Sequence, residues 1–165
     1  MKMNESKQIQ STFRAKFVRV QLVRESTITY PAGEVMTCPH DIEFAARAVL
    51  NSYDREAFLV IHLDSKHKIN SIEVIAVGTL NATLVHPREC LKGAILGNAA
   101  AICLVHNHPS GSCDPSPEDL ALTHQLLAAS EIIGIRVIDH LILGFPSFVS
   151  LRETTSIWKE YPFHR

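Results

Sequence analysis

Apolar and polar residues alternate along the chain in short blocks that predict strands. Residues 16–23 alternate charged or amide side chains with apolar ones, and a period of two is typical of a half-buried strand. Residues 57–63 and 71–78 are apolar runs separated by a polar segment, which predicts two strands in hairpin order. Three further apolar runs of strand length follow at residues 99–105, 135–143 and 148–151.

Three helices are predicted by their end signals and their apolar faces. The first begins at Pro39 and ends near residues 51–53, and the second covers residues 87–96 and is closed by Gly97. In the third, Ser116 is a preferred N-cap residue and Pro117 a preferred first residue, and Gly134 marks the end. Strands and helices alternate through the middle of the chain, which predicts a layered α/β domain.

Length and charge narrow the function classes. A chain of 165 residues fits one domain. A domain of this size buries roughly two-thirds of its unfolded surface, so it needs no disulfide or structural metal to fold. We therefore expect any metal to be functional. Sixteen Lys and Arg face seventeen Asp and Glu, a net charge of −1 that does not support nucleic acid as a partner.

Location is predicted from the absence of membrane and export signals in the sequence. No apolar stretch approaches the ~18 residues of a membrane span, so we expect no membrane partner. Residues 1–12 are polar, lack a signal-peptide core, and are predicted to form a flexible leader. The irregular cysteine spacing, without a CxxC pair, indicates reduced thiols in a cytoplasmic protein; the cysteines are Cys38, Cys90, Cys103 and Cys113.

Candidate chemistry is concentrated around one loop. His106 and His108 are two residues apart, so in an extended segment both imidazoles point to the same side. The loop at residues 106–117 holds three prolines and a glycine and can fold Asp119, in the first turn of the next helix, back towards them. Two imidazole nitrogens and one carboxylate suit Zn²⁺ and leave a fourth position for water. An open position indicates catalysis.

These residues also have simpler interpretations. Ser116 and Asp119 match the N-cap and the acidic third residue of a helix start, with no metal involved. The histidine pair can be two polar residues at a strand end. However, the three-residue ligand pattern arises by chance in a chain of this composition with a probability of about 0.02. The two interpretations of Ser116 and Asp119 are compatible, because a capping box can hold a ligand rigidly.

The ligand spacing resembles a known family signature. His106-x-His108, seven residues, Ser116, two residues and Asp119 resemble the JAMM signature of the MPN+ metalloprotease superfamily. The surrounding motifs GTLN, HPRE, NAAA, HNHPSG and DHLI, within residues 55–150, are similar to the bacterial RadC-like proteins. The resemblance implies a JAMM/MPN-like (cytidine-deaminase-like) fold, a mixed β-sheet flanked by helices, at residues 13–155, followed by a C-terminal tail at 156–165.

The resemblance also implies roles for the loop residues. His106, His108 and Asp119 would hold one Zn²⁺ per chain, and Ser116 would donate a hydrogen bond to the oxyanion of the reaction. The implied reaction is zinc-dependent hydrolysis of a peptide or isopeptide bond by a metal-activated water. The substrate would be a peptide or a protein.

The general base is assigned by resemblance alone. Glu56, at the start of a predicted strand, matches the family's catalytic glutamate. From the residues themselves, Glu73 and Glu89 are equally available carboxylates.

Four other residues near or outside the loop have weaker signals. His86, His124 and His140 can each orient a ligand, although a lone histidine in an apolar run is more often a hydrogen-bonded core residue. Cys113 lies inside the loop, but three ligands are already supplied, so its presence there is interpreted as incidental.

Two other function classes stay open. One is a DNA-repair or mobile-element accessory module that binds DNA or protein, with the metal site secondary; it predicts salt-sensitive DNA binding. Longer RadC-like proteins carry a helical region that resembles DNA-binding helix-hairpin-helix modules, and we expect none in this chain. The other is a non-catalytic scaffold, which would lack metal ligands.

The aromatic segment at residues 156–163 is predicted either to dock on a partner or a second copy, as in a dimer, or to pack back on the domain.

Overall fold

A five-stranded mixed β-sheet with helices on both faces forms the centre of the protein. The computed structural model describes residues 19, 21–23, 25–31, 33–78 and 85–164. A mixed sheet flanked by helices is what the resemblance implied, and the strands, numbered in chain order, lie in the sheet in the order β2-β1-β3-β4-β5. Its strands are β1 Ala57–Leu63, β2 Ile69–Val77, β3 Ala101–Asn107, β4 Arg136–Leu143 and β5 Phe148–Ser150.

Four α-helices and two short 3₁₀ helices complete the described part of the chain. The α-helices are α1 Pro39–Leu50, α2 Pro87–Leu96, α3 Pro117–Ile133 and α4 Leu151–Thr154, and the 3₁₀ helices are Ile157–Glu160 and Pro162–His164. The predicted leader and most of the strand predicted at residues 16–23 lie outside the described residues. Residues 19 and 21–23 are described and belong to no strand.

The strand directions bring three strand ends to one edge of the sheet. β1 runs antiparallel to β2 and to β3, which confirms the predicted hairpin, whereas β3 and β4 are parallel. A parallel pair needs a long crossover, and α3 supplies it. As a result, the end of β3 lies between the start of β1 and the end of β4, with His106 opposite Phe58 on one side and Ile142 on the other.

Helices cover both faces of the central strands. On one face, α2 and α3 pack Ala94 and Leu126 against Val60 and Leu104. On the other face, α1 packs Ala45 and its neighbours against the alternate residues of β1 and β3. Strands that are buried on both faces are apolar throughout, which is why β1 and β3 appear in the sequence as continuous apolar runs.

β3 is longer than its apolar run. The sequence predicts that this strand stops before His106, and this is wrong by two residues, since pairing with β4 continues through Asn107. Both neighbouring strands extend to this point and supply backbone partners, so the polar side chain of His106 does not end the strand. The ends of α3 are as predicted: Ser116 caps its start, and Gly134, at a φ of 81°, follows its last turn.

No helix among the described residues combines the length and the hydropathy that a transmembrane span requires.

The C-terminal segment packs back on the domain and covers the free side of β4. β5 pairs only with residues 141–143, so the first part of β4 lacks a strand neighbour on that side. Instead, the Trp158 Nε1 donates to the Val137 carbonyl at 3.1 Å, and the Val137 N–H donates to His164 Nδ1 at 3.0 Å. His164 Nε2 in turn donates to the Leu127 carbonyl at 2.9 Å. These side chains take the place of a neighbouring strand along the free side of β4.

Truncating Trp158 is expected to destabilise the fold strongly. Trp158 is 5% exposed, and Trp158→Ala removes a buried ring together with its hydrogen bond to β4. We expect the free energy of unfolding, measured with urea, to fall by about 3–5 kcal/mol. Phe163→Ala is the matched control, because Phe163 lies in the same segment but is 37% exposed, and should cost less than about 1 kcal/mol. Equal losses in the two variants would contradict the edge-covering role.

Candidate metal centre

Two histidines and one aspartate converge at the end of β3. His106 Nε2 lies 3.1 Å from His108 Nε2 and 3.1 Å from Asp119 Oδ1, and His108 Nε2 lies 3.7 Å from Asp119 Oδ2. Within the described part of the chain, this is the one group of at least three such side chains close enough together to hold a metal ion. His106 is buried, whereas His108 and Asp119 are partly accessible to solvent.

Local structure positions each member of this group. His106 belongs to β3, and the His108 N–H donates to the Leu143 carbonyl at 2.8 Å, which continues the contact with β4 beyond the strand. The loop then reverses, with Gly111 at a φ of 84°, and leads to α3. Asp119 lies in the first turn of α3, so the start of this helix carries the third side chain of the group.

The turn between β4 and β5 contacts the loop that leads from β3 to α3. The Phe145 N–H donates to the Gly111 carbonyl at 3.2 Å, and Arg47 of α1 donates to the Gly144 and Ser147 carbonyls, both at 3.1 Å. A Cβ at position 144 would overlap the Gly111 carbonyl oxygen, so only glycine allows the turn and the loop to approach this closely. The loop is thereby tied to both α1 and the sheet.

Hydrogen bonds define how the rings face one another. His108 Nδ1 lies 3.1 Å from the Ser112 carbonyl, which can only accept, so Nδ1 carries the hydrogen of this bond. The unprotonated nitrogen of a neutral His108 is then Nε2, which faces the other two side chains. His106 Nδ1 lies 3.0 Å from Nε2 of the buried His140, on the side of the ring that faces away from Asp119.

Asp119 supplies the negative charge of the group. Burial on its own raises the pKa of Asp119, but hydrogen bonds with His106, His108 and Ser116 and attraction by His106 outweigh it, so the pKa lies well below its usual range. The hydrogen bond to Asp119 raises the pKa of His108, against the opposing effect of burial, and the charge of Glu56 adds a smaller increase. An ionised carboxylate between two imidazoles is an environment that attracts a cation.

Ser116 and Asp119 form the capping box that the simpler interpretation predicts. The Asp119 N–H donates to Ser116 Oγ at 3.1 Å, and the Ser116 N–H donates back to Asp119 Oδ2 at 2.8 Å. The Ser116 hydroxyl also donates to Oδ2, at 2.7 Å. The helix cap and the candidate ligand are therefore the same carboxylate, as the sequence allowed. The oxyanion role of Ser116 stays a prediction.

Glu56 lies at the same edge of the sheet, directly before β1. Asn107 binds the backbone on both sides of it: its Oδ1 accepts from the Ala57 N–H at 2.8 Å, and its Nδ2 donates to the Arg55 carbonyl at 3.1 Å. Asn107 stands between the two histidines in the chain, so one side chain connects the segment that carries Glu56 to the segment that carries His106 and His108. Asn107 was not among the predicted site residues, and its position between two predicted ligands was the only signal in the sequence.

The remaining predicted histidines lie in three different settings. His140 is fully buried and contacts His106, and burial lowers its pKa well below the usual value. His86 caps α2 by accepting from the Arg88 N–H at 3.1 Å, and His124 Nδ1 lies 3.2 Å from the Tyr161 hydroxyl. Only His140 is therefore in contact with the candidate metal group. Cys113 is not a member of that group, and its Sγ lies 3.4 Å from Ser147 Oγ.

Residues 36–156 match the family model of the RadC-like JAB domain. The chain belongs to this family, which is part of the JAB/MPN superfamily. It is similar to UPF0758 proteins from several bacteria. The Desulforamulus reducens protein is 48% identical over 118 residues, which is 72% of this chain and 52% of the relative. The Vibrio parahaemolyticus protein is 39% identical over 145 residues, which is 85% and 65% respectively.

Family membership and the geometry of the site agree that this chain has a candidate metal site. JAB-domain proteins are metal-dependent, and the RadC-like JAB domain of this chain contains a His-His-Asp group that can bind a metal ion. The chain spans about half the length of the curated relatives it matches. Their shared name, UPF0758 protein, states no activity.

Asn107→Asp is expected to weaken the connection between Glu56 and the histidine segment. The new carboxylate can still accept from the Ala57 N–H, but it has no donor for the Arg55 carbonyl. We expect the free energy of unfolding, measured with urea, to fall by about 1–3 kcal/mol. Asn70→Asp makes the same chemical change at an exposed site on β2 and should stay within about 0.5 kcal/mol of the parent protein. Similar values for both variants would show that the Asn107 bonds contribute little.

Proposed function

We propose that this protein is a zinc-dependent hydrolase of peptide or isopeptide bonds. The observation that carries the proposal is the convergence of His106 Nε2, His108 Nε2 and the Asp119 carboxylate at the sheet edge where Glu56 lies. Membership of the RadC-like JAB family supports it. We infer that the substrate is a peptide or a protein and that the protein acts in the cytoplasm.

The donor set fits Zn²⁺ in number, type and spacing. A tetrahedral site with Zn–N and Zn–O distances of about 2.0–2.1 Å needs ligand atoms about 3.4 Å apart. His106 Nε2 lies 3.1 Å from both His108 Nε2 and Asp119 Oδ1, close to that spacing, and His108 Nε2 lies 3.7 Å from the other carboxylate oxygen, Oδ2. Three protein ligands leave one coordination position open, which is the arrangement of catalytic rather than structural zinc. One ion per chain would satisfy the group.

The proposed chemistry divides among five side chains. A Zn²⁺ held by His106, His108 and Asp119 would lower the pKa of water to about 7 and polarise the scissile carbonyl. Glu56 would take the proton of the attacking water and pass it to the leaving amine. The charge of Glu56 raises the pKa of His108, so this carboxylate lies within electrostatic range of the metal group.

Ser116 would stabilise the oxyanion of the tetrahedral intermediate. A hydrogen bond of this type contributes ~3–4 kcal/mol where it has been measured. The Ser116 hydroxyl has one proton, which is directed at Asp119 Oδ2 at 2.7 Å. In the proposed role, this proton turns from the carboxylate to the substrate oxygen, while the Ser116 N–H keeps its own bond to Asp119.

Metal content is the first test. Protein purified without chelator is expected to contain about one zinc per chain by elemental analysis, and His108→Ala and Asp119→Ala should lose it while circular dichroism shows an intact fold. His124→Ala is the matched control and should keep its zinc, because His124 bonds to Tyr161 and lies outside the metal group. A parent protein that takes up no zinc on titration would sink the proposal and favour the DNA-binding or scaffold classes.

The general base is tested by three single substitutions of glutamate. Glu56→Gln should keep zinc but lower the rate of peptide or isopeptide hydrolysis about 10²–10⁴-fold, because the amide cannot accept the proton. Glu73→Gln and Glu89→Gln are the controls, since the sequence offers all three carboxylates equally. Glu89 forms ion pairs with Arg88 and Lys92 and is not a member of the metal group. A loss of rate in either control comparable to that in Glu56→Gln would overturn the assignment of the base.

A further inference from the structure

A buried line of three side chains lies behind the candidate metal centre. Thr123 of α3 contacts His140 of β4, and His140 contacts His106 of β3. Thr123 and His140 are fully buried and His106 is 1% exposed. Side chains this deeply buried must satisfy their hydrogen bonds from one another. The hydrogen-bond partner of each ring nitrogen therefore determines whether that nitrogen carries a hydrogen.

The line begins at a hydroxyl that has one proton to give. Thr123 Oγ1 lies 2.7 Å from the Asp119 backbone carbonyl and 2.7 Å from His140 Nδ1. A carbonyl can only accept, so the Thr123 proton points to Asp119; directed elsewhere, it would leave two oxygen acceptors in close contact without a hydrogen. Bonding of a threonine to the carbonyl four residues earlier is common in helices. Thr123 can then only accept from His140.

The direction of the Thr123 hydrogen bond determines the tautomers of both histidine rings. His140 Nδ1 must carry a hydrogen to donate to Thr123, and a fully buried neutral ring then has an unprotonated Nε2. His106 Nδ1, at 3.0 Å, must donate to that nitrogen. A neutral His106 with its hydrogen on Nδ1 has its lone pair on Nε2, the atom that faces His108 and Asp119.

We propose that Thr123 is a positioning residue that fixes, through His140, the tautomer in which His106 can bind a metal ion. The proposal rests on the metal site of the proposed function, since a fixed Nε2 lone pair matters only if a cation binds there. The hydrogen bonds connect two of the candidate ligands to each other. They begin at the backbone carbonyl of Asp119 and end at the ring of His106.

The tautomers can be read directly by nuclear magnetic resonance. Two-bond ¹H–¹⁵N correlation spectra of the imidazoles separate protonated from unprotonated ring nitrogens. In the parent protein, with and without Zn²⁺, we expect His140 to carry its hydrogen on Nδ1. In the zinc-loaded protein, His106 should carry its hydrogen on Nδ1 as well. A His140 hydrogen on Nε2 in the parent protein would overturn the proposal.

Thr123→Val removes the hydroxyl and keeps the shape of the side chain. Without an acceptor at Nδ1, His140 should move its hydrogen to Nε2, which then donates to His106 and forces the His106 hydrogen towards the metal position. We expect zinc affinity, measured by competition with a chelating dye, to fall about 10–100-fold. Thr123→Ser keeps the hydroxyl and should stay within about threefold of the parent value.

The outcomes separate this role from others. A purely structural role for Thr123 would lower the unfolding temperature of Thr123→Val without moving the His140 hydrogen or the zinc affinity, and that result would overturn the proposal. If Thr123→Val does not fold, the parent spectra and Thr123→Ser still decide. If the parent protein binds no zinc, the proposed function fails, while the His140 tautomer of the metal-free protein still tests the hydrogen-bond line.

Discussion

The site depends on the pairing of β3 with strands of opposite direction on its two sides. Because β1 is antiparallel and β4 is parallel to β3, the end of β3 meets the start of β1 and the end of β4 at one edge. His106 is thereby held between Phe58 and Ile142, and the ring of Phe58 is stacked on it with centroids 5.8 Å apart. The ring of His106 is anchored in β3, whose residues are buried from Ala101 to His106, so it has little freedom to move.

The start of α3 supplies what the sheet edge lacks. Its capping box fixes the Asp119 carboxylate through the backbone N–H and the hydroxyl of Ser116, and the positive end of the helix dipole favours the ionised form. A helix cap normally satisfies only the helix. Here the other carboxylate oxygen, Oδ1, faces His106, so a local structural device also contributes a side chain to the candidate metal group.

The parts of the candidate metal group that follow short-range rules are visible in the sequence. The spacing of His106 and His108, and of Ser116 and Asp119, reflects strand alternation and helix capping, and both act within a few residues. Glu56 was predicted only from family resemblance, because a glutamate at a strand start looks the same in sequence whether or not it faces a site. Asn107 and Thr123 were not predicted. For His140, the sequence favoured a hydrogen-bonded core residue and did not show its contact with His106.

The sequence by itself determined the order of the five sheet strands and of α1, α2 and α3, the ends of α3 and the His-His-Asp pattern. These features depend on backbone preferences and on neighbours close along the chain, which a linear pattern records. Only the tertiary structure decided the length of β3, the packing of the C-terminal segment on β4 and the partners of Asn107 and His140. Those contacts join residues 34 positions apart for His106 with His140 and 50 apart for Ala57 with Asn107. They exist because the sheet pairs distant strands, and no local propensity specifies which ones.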